Sequence, residues 1–210
     1  TLALGPGMGS HHRNATAANL AVMILNDVAG NVGRTVHYDA NVTAAAAAYA
    51  DMESAVSDLA AGQVGVAMVH GANPAYSMPE ASGFVDAFAH AAFRVSFASA
   101  MDETSALADL ILPDRHFLEA WGDSMPRQGV MALQQPVMQA VTHFDSKQAG
   151  DVLLAVSTHL GKDLGGTTFY EFMRDSHREM HDSSMGDFEE SWRQALREGA
   201  VEHDTGATAT

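Results

Sequence analysis

The stretch Val64-Gly-Val-Ala-Met-Val69-His-Gly-Ala-Asn-Pro74, followed by Phe93-Arg-Val-Ser-Phe97 and Asp102-Glu-Thr-Ser-Ala-Leu-Ala-Asp109-Leu-Ile-Leu-Pro113, decides the fold. Three short apolar runs each stop at a polar or Gly/Pro loop. Parallel strands buried on both faces read this way, and their loops reach the carboxyl edge of the sheet, where α/β folds bind ligands. Between the runs, Pro79–Ala91 is expected as a helix with Pro79 in its first turn. Glu103–Ala108 is expected to make one or two helical turns.

Working outward, Thr1–Leu4 is expected as a short strand that ends at Gly5-Pro-Gly-Met-Gly9. A helix over His12–Val28 follows, since Ala18, Val22 and Leu25 share a face. Arg34–Asn41 reads as a loop or short extended piece. Ala44–Ala61 reads as a second helix that opens on five alanines. Val130–Val141 has β character, but Pro136 confines it to an edge or irregular strand. Lys147–Leu160 is helical, and Phe169–Met180 with Phe188–Leu196 forms a more polar helical tail. The expectation is an α/β fold with a Rossmann-like, doubly wound, mostly parallel sheet and a helical C-terminal extension. Boundaries are set at residues 1–164 for the α/β domain, 165–203 for the extension and 204–210 for a disordered tail.

With 210 residues and 47% apolar content, the chain can bury a real core. Its apolar runs fall short of the roughly 18 residues that span a bilayer, so no direct membrane insertion is expected. It opens on Thr1 without a basic flank and without Met, which suggests an excised or processed segment whose address lies upstream. A formal charge of −15, from 26 acidic against 11 basic residues, argues against nucleic acid as a partner. The absence of cysteine excludes thiolate nucleophiles and cysteine-ligated clusters within these residues.

Gly71-Ala-Asn73-Pro74, Asp102-Glu103-Thr104, Ala108-Asp109, Leu112-Pro113 and Glu119, with Asn19-Leu20 and Gly30-Asn-Val-Gly-Arg34 upstream, form an ordered series that resembles the molybdopterin oxidoreductase family. The series covers about Gly5 to Gly161. A closer resemblance, to the large peripheral subunits of alternative complex III, rests on Gly5-Pro-Gly7, His12, Gly30–Val36, His70–Tyr76, Glu119-Ala-Trp-Gly-Asp123, Phe188-Glu-Glu-Ser-Trp192 and Ala195–Gly199. That resemblance implies a cofactor-less structural domain in a quinol-oxidising respiratory complex. It also implies docking to other subunits of that membrane-bound assembly, iron–sulfur clusters elsewhere in the full protein, and an extracytoplasmic, periplasmic address. The alternative is the dinucleotide-holding domain of an active oxidoreductase carrying molybdopterin guanine dinucleotide. The loop Glu119–Gly129 departs from the cofactor-holding pattern: it lacks that pattern's Asn and carries Pro126.

If a nucleotide site is retained, the resemblance places it at Gly71, Asn73, Pro74, Asp102, Glu103 and Thr104. The competing reading makes Asn73-Pro74 a turn and Asp102 a helix cap. Gly5–Gly9 fits either a phosphate cradle or a tight turn, and its spacing is not Gly-x-Gly-x-x-Gly. Asp109 reads as a strand-entry residue without a partner to shift its pKa. No catalytic residue is evident. No metal site is expected: His11-His12 point apart, and His177 and His181 share a helical face without a third ligand, so a solvated face is expected there. The methionines are expected in the core, and Trp121 and Trp192 as packing or interface anchors.

Overall fold

The computed structural model describes residues 2–5, 13–37, 47–127, 129–181 and 186–202. These fall into two compact units, one built on residues 2–5, 13–37, 127 and 129, the other on 47–126, 130–181 and 186–202. The fold is α/β, with a parallel three-stranded sheet and a second three-stranded sheet.

In the larger unit, β1 (Val66–Val69), β2 (Phe93–Ser96) and β3 (Leu110–Ile111) lie in that order. Both pairings are parallel, with Val66 opposite Phe93 and Val95 opposite Leu110. One face is covered by α2 (Tyr49–Ala60) and α4 (Phe84–Phe88). There Val56, Leu59, Phe84, Ala87, Phe88 and Ala91 form a buried cluster against Ala67 and Val69. On the other face Val95 and Phe97 pack with Ala149 and Val152 of α5 (Ala149–His159). Met68, in register with Val95, is left half-exposed. Strand alternation dictates this division, because neighbouring side chains point to opposite faces.

Pro79–Ala91 does not form one helix. Gly83 takes φ +66° and separates a 3-10 turn over Glu80–Ser82 from α4. Only glycine enters that left-handed region without strain. The expected turns after Glu103 reduce to one 3-10 turn over Ser105–Leu107, and a short helix α3 (Pro74–Ser77) starts at Pro74.

Past β3, β4 (Gly122–Arg127), β5 (Val130–Gln134) and β6 (Ala200–Glu202) form the second sheet. β5 and β6 are antiparallel, with Met131 opposite Val201. β4 falls in the Glu119 loop, and its residues Gly122–Arg127 include none of the usual strand formers. Helices α6 (Phe169–Met180) and α7 (Phe188–Glu198) occupy the region expected as a helical extension, which also supplies β6. Thr168 caps α6 by accepting from the Glu171 N–H, and Glu171 accepts from the Thr168 N–H in return. Met173 and Trp192 are buried between these elements. Met68, Met101 and Met125 are exposed, so core filling accounts for only part of the methionine content.

In the smaller unit, α1 (Ala15–Val28) is followed by a turn closed by a bridge between Val32 and Val36. Leu2–Leu4 do not form a strand. The carboxamide of Asn26 instead takes both backbone groups of Ala3, accepting from its N–H at 3.1 Å and donating to its carbonyl at 2.9 Å. A Cβ on Gly5 would lie 2.6 Å from Asn19 Oδ1, the far end of an exposed side chain that would have to swing aside. Pro6–Gly9, the His11-His12 pair and the tail 204–210 lie outside the described residues, as does much of the alanine run.

Candidate functional site at the carboxyl ends of the parallel strands

Parallel strands deliver their following loops to one rim, and three loops meet there. Residues after β1 (His70–Asn73), after β2 (Phe97–Ala100 and Asp102) and after β3 (Asp114, Arg115) line a cavity of about 380 Å³. A larger depression of about 530 Å³ lies elsewhere, but a single local segment, Pro74–Asp86, walls it. Convergence of separate strands marks the first cavity as the candidate site.

Of the six residues assigned to a nucleotide, three are tied into one network. Asn73 donates through Nδ2 to Glu103 Oε2 at 2.6 Å. Its Oδ1 accepts from the Thr104 hydroxyl at 2.7 Å and from the Thr104 N–H at 3.3 Å. The Thr104 hydroxyl in turn accepts from the Ala75 N–H at 3.0 Å, at the residue following Pro74. Thr104 is only 1% exposed, which puts it out of reach of any ligand. Pro74 is buried at the start of α3.

Asp102 turns inward as well. Its Oδ1 accepts from the Ser105 N–H at 2.7 Å and from the Ser105 hydroxyl at 2.6 Å. The Ser105 contacts hold the Asp102 carboxyl below the usual carboxylate range. Gly71 has φ +63° and open space around its Cα, so the β1 loop turns sharply at the cavity wall. These donors and acceptors satisfy one another across two loops. They do not fit the role of free ligands to a pterin dinucleotide.

Gly71, Asn73 and Asp102 do line the cavity, but sequence reasoning did not single out His70, Asp114 and Arg115, which line it too. His70 Nε2 lies 2.6 Å from Asp114 Oδ2, joining the ends of β1 and β3. Asp114 Oδ1 accepts from the Arg115 N–H and from the Ala149 N–H, both at 2.9 Å, and the latter fixes the start of α5. The His70 ring meets Phe97 edge-on at 6.1 Å. Arg115 Nε is buried without a hydrogen-bond partner among the described residues. His70 and Asp114 are 44 residues apart, so only the strand order brings them together.

Two further expectations are corrected. Asp109 does have a partner. Arg94 donates to it through Nε at 2.9 Å and through Nη2 at 2.6 Å, a two-pronged contact between β2 and the entry to β3. Arg94 holds the Asp109 carboxyl below its ordinary range. His177 does not lie on a solvated face. It is buried against Trp192 at 5.2 Å, because α7 packs over that side of α6. Trp192 is buried as an anchor, whereas Trp121 is partly buried against Tyr170 at 4.5 Å. Among the described residues no three His, Asp or Glu side chains are grouped to hold a metal ion, and no helix is long and apolar enough to cross a membrane.

No family model matches the chain. Among characterised proteins it is similar to the menaquinone reductase, molybdopterin-binding-like subunit of Nitratidesulfovibrio vulgaris, at 38% identity over 111 residues. The match covers 51% of this chain but 16% of that subunit, so the relative is a much longer protein. The likeness, over about half the chain, supports kinship with molybdopterin-oxidoreductase-like proteins.

Proposed function

We propose that this chain is a structural domain, without a cofactor of its own, from a molybdopterin-oxidoreductase-like subunit of a quinone-linked respiratory complex. One observation carries the reading: Asn73, Glu103 and Thr104, which the family resemblance assigns to the nucleotide, bond to each other, with Thr104 buried at the centre, and Asp102 bonds inward to Ser105. A rigid α/β unit of this kind positions neighbouring subunits, while iron–sulfur clusters elsewhere in the full protein carry electrons. The relative is a subunit of a menaquinone reductase, so quinone-linked electron transfer is common to it and to the alternative complex III resemblance. The quinol-oxidising direction and the extracytoplasmic address belong to that resemblance. The strongly negative charge of the chain favours protein partners over nucleic acid.

Metal analysis and pterin fluorescence on the full-length protein, purified with its native partners, test this. Less than a tenth of an equivalent of molybdenum, tungsten or pterin is expected. A stoichiometric amount of any of them overturns the proposal.

The second reading, a dinucleotide-holding domain in an active enzyme, is favoured by the cavity itself and by the unpartnered Arg115 Nε beside it. Calorimetry with guanosine diphosphate separates the two. The structural reading expects no heat of binding, and the second expects one that an Arg115→Gln variant abolishes.

A further inference from the structure

The α6–α7 pair contains a buried group that the strand-end site does not use. The His177 side chain is 4% exposed and faces a small apolar pocket of about 60 Å³. Its Nε2 has no hydrogen-bond partner among the described residues. The nearest acceptor is Asp123 Oδ2 on β4, 3.8 Å away, beyond hydrogen-bond reach yet within the range of an ion pair. The Asp123 side chain is 34% exposed, so solvent reaches the carboxylate. An orphaned ring nitrogen in an apolar setting costs free energy, and that cost is relieved when the nitrogen finds a partner.

Among the described residues that line the pocket or contact His177, Asp123 is the counter-charge. From α7, Trp192, Ser191, Ala195 and Phe188 face the pocket without charge. Glu189 on α7 is committed to Arg174 and Arg178 of α6. On α6 itself, Arg178 also lies over the Phe188 ring at 4.7 Å and pairs with Asp175. His181 binds the Gly186 carbonyl through Nε2 at 3.1 Å. From β6, Val201 contributes only an apolar wall.

We propose that His177 is a proton-operated clamp: proton uptake by its imidazole draws the Asp123 carboxylate into a hydrogen-bonded ion pair and fastens β4 to the α6–α7 pair. The proton comes from solvent, and the pair holds it as an imidazolium–carboxylate contact. Trp192, edge-on to the ring at 5.2 Å, reports the change because a cation beside an indole alters its environment.

Nitrogen-15 NMR of the histidine rings, with carboxyl-carbon and tryptophan-indole signals followed in the same samples, tests this on the protein from pH 8 to pH 5. The His177 ring is expected to take a proton, with the Asp123 carboxyl and the Trp192 indole moving along the same curve. Asp123→Asn is expected to remove at least half of the Trp192 change, and His177→Gln to remove all of it. A His177 ring that stays neutral to pH 5 overturns the proposal. So does a ring that titrates while the Asp123 carboxyl stays still, which the unmodified protein reveals even if both variants fold poorly. A full Trp192 change in Asp123→Asn also overturns it.

Discussion

The Thr104 hydroxyl donates to the Asn73 side-chain carbonyl at 2.7 Å and accepts from the Ala75 N–H at 3.0 Å. One buried hydroxyl therefore joins the loop after β2 to the loop after β1. Thr104→Val keeps the shape but leaves Asn73 Oδ1 and the Ala75 N–H short of a partner. A loss of about 1–3 kcal/mol is expected, read as a lower urea midpoint. Glu103, at the exposed edge of the network, is expected to tolerate alanine within about 0.5 kcal/mol.

The acid limb of stability is expected to follow Asp102 and Asp109. Both carboxyls are held below their ordinary range, Asp102 chiefly by the Ser105 hydroxyl and Asp109 chiefly by the Arg94 guanidinium. A carboxyl depressed in the folded state contributes stability that is fully present above its unfolded value. That contribution is lost as pH falls through the folded value. Urea midpoints should therefore drop below about pH 4, and the drop should be shallower in Asp102→Asn and Asp109→Asn.

Gly150, inside α5, should resist the change that helix propensity favours. Alanine is better than glycine in a helix by about 1 kcal/mol. A Cβ at Gly150, however, would lie 2.3 Å from Phe169 Cδ2 and 3.0 Å from its Cβ. Since the near end of that side chain is in the way, Gly150→Ala is expected to destabilise by about 1–3 kcal/mol. A gain in thermal midpoint would contradict the close packing of α5 on α6.

Trp192, 4% exposed, stacks with Phe188 at 6.1 Å and meets His177 edge-on. Trp192→Ala is expected to cost about 3–5 kcal/mol. Thr168→Ala, which removes the α6 cap, is expected to cost about 1 kcal/mol. Circular dichroism during chemical unfolding distinguishes these two magnitudes.

The sequence carried β1 to β3 because each is an apolar run with a polar or Gly/Pro stop, and α5 and α6 because each reads as a helix along its length. Gly161, with φ +72°, follows α5 and stops it. β4 and β6 were illegible: Gly-Asp-Ser-Met-Pro-Arg is a poor strand former, and Ala200–Glu202 is too short to show alternation. These segments are strands through their pairing, which a linear reading does not contain. The same limit applied at the candidate site. The Asn73 and Asp102–Thr104 loops were recognisable by their wording. The His70–Asp114 and Arg94–Asp109 pairs arise from parallel register, and the burial of His177 arises from the seating of α7.

Asp114 divides its carboxylate between the His70 ring and the first N–H of α5. A molecule entering the strand-end cleft and pulling that imidazole toward itself would leave one oxygen without its counterpart. The disturbance would then reach a helix that does not border the cleft. Leu153 and Val156, two half-bare aliphatic side chains on the helix, would carry it to whatever rests against them, while the strands stayed where they are.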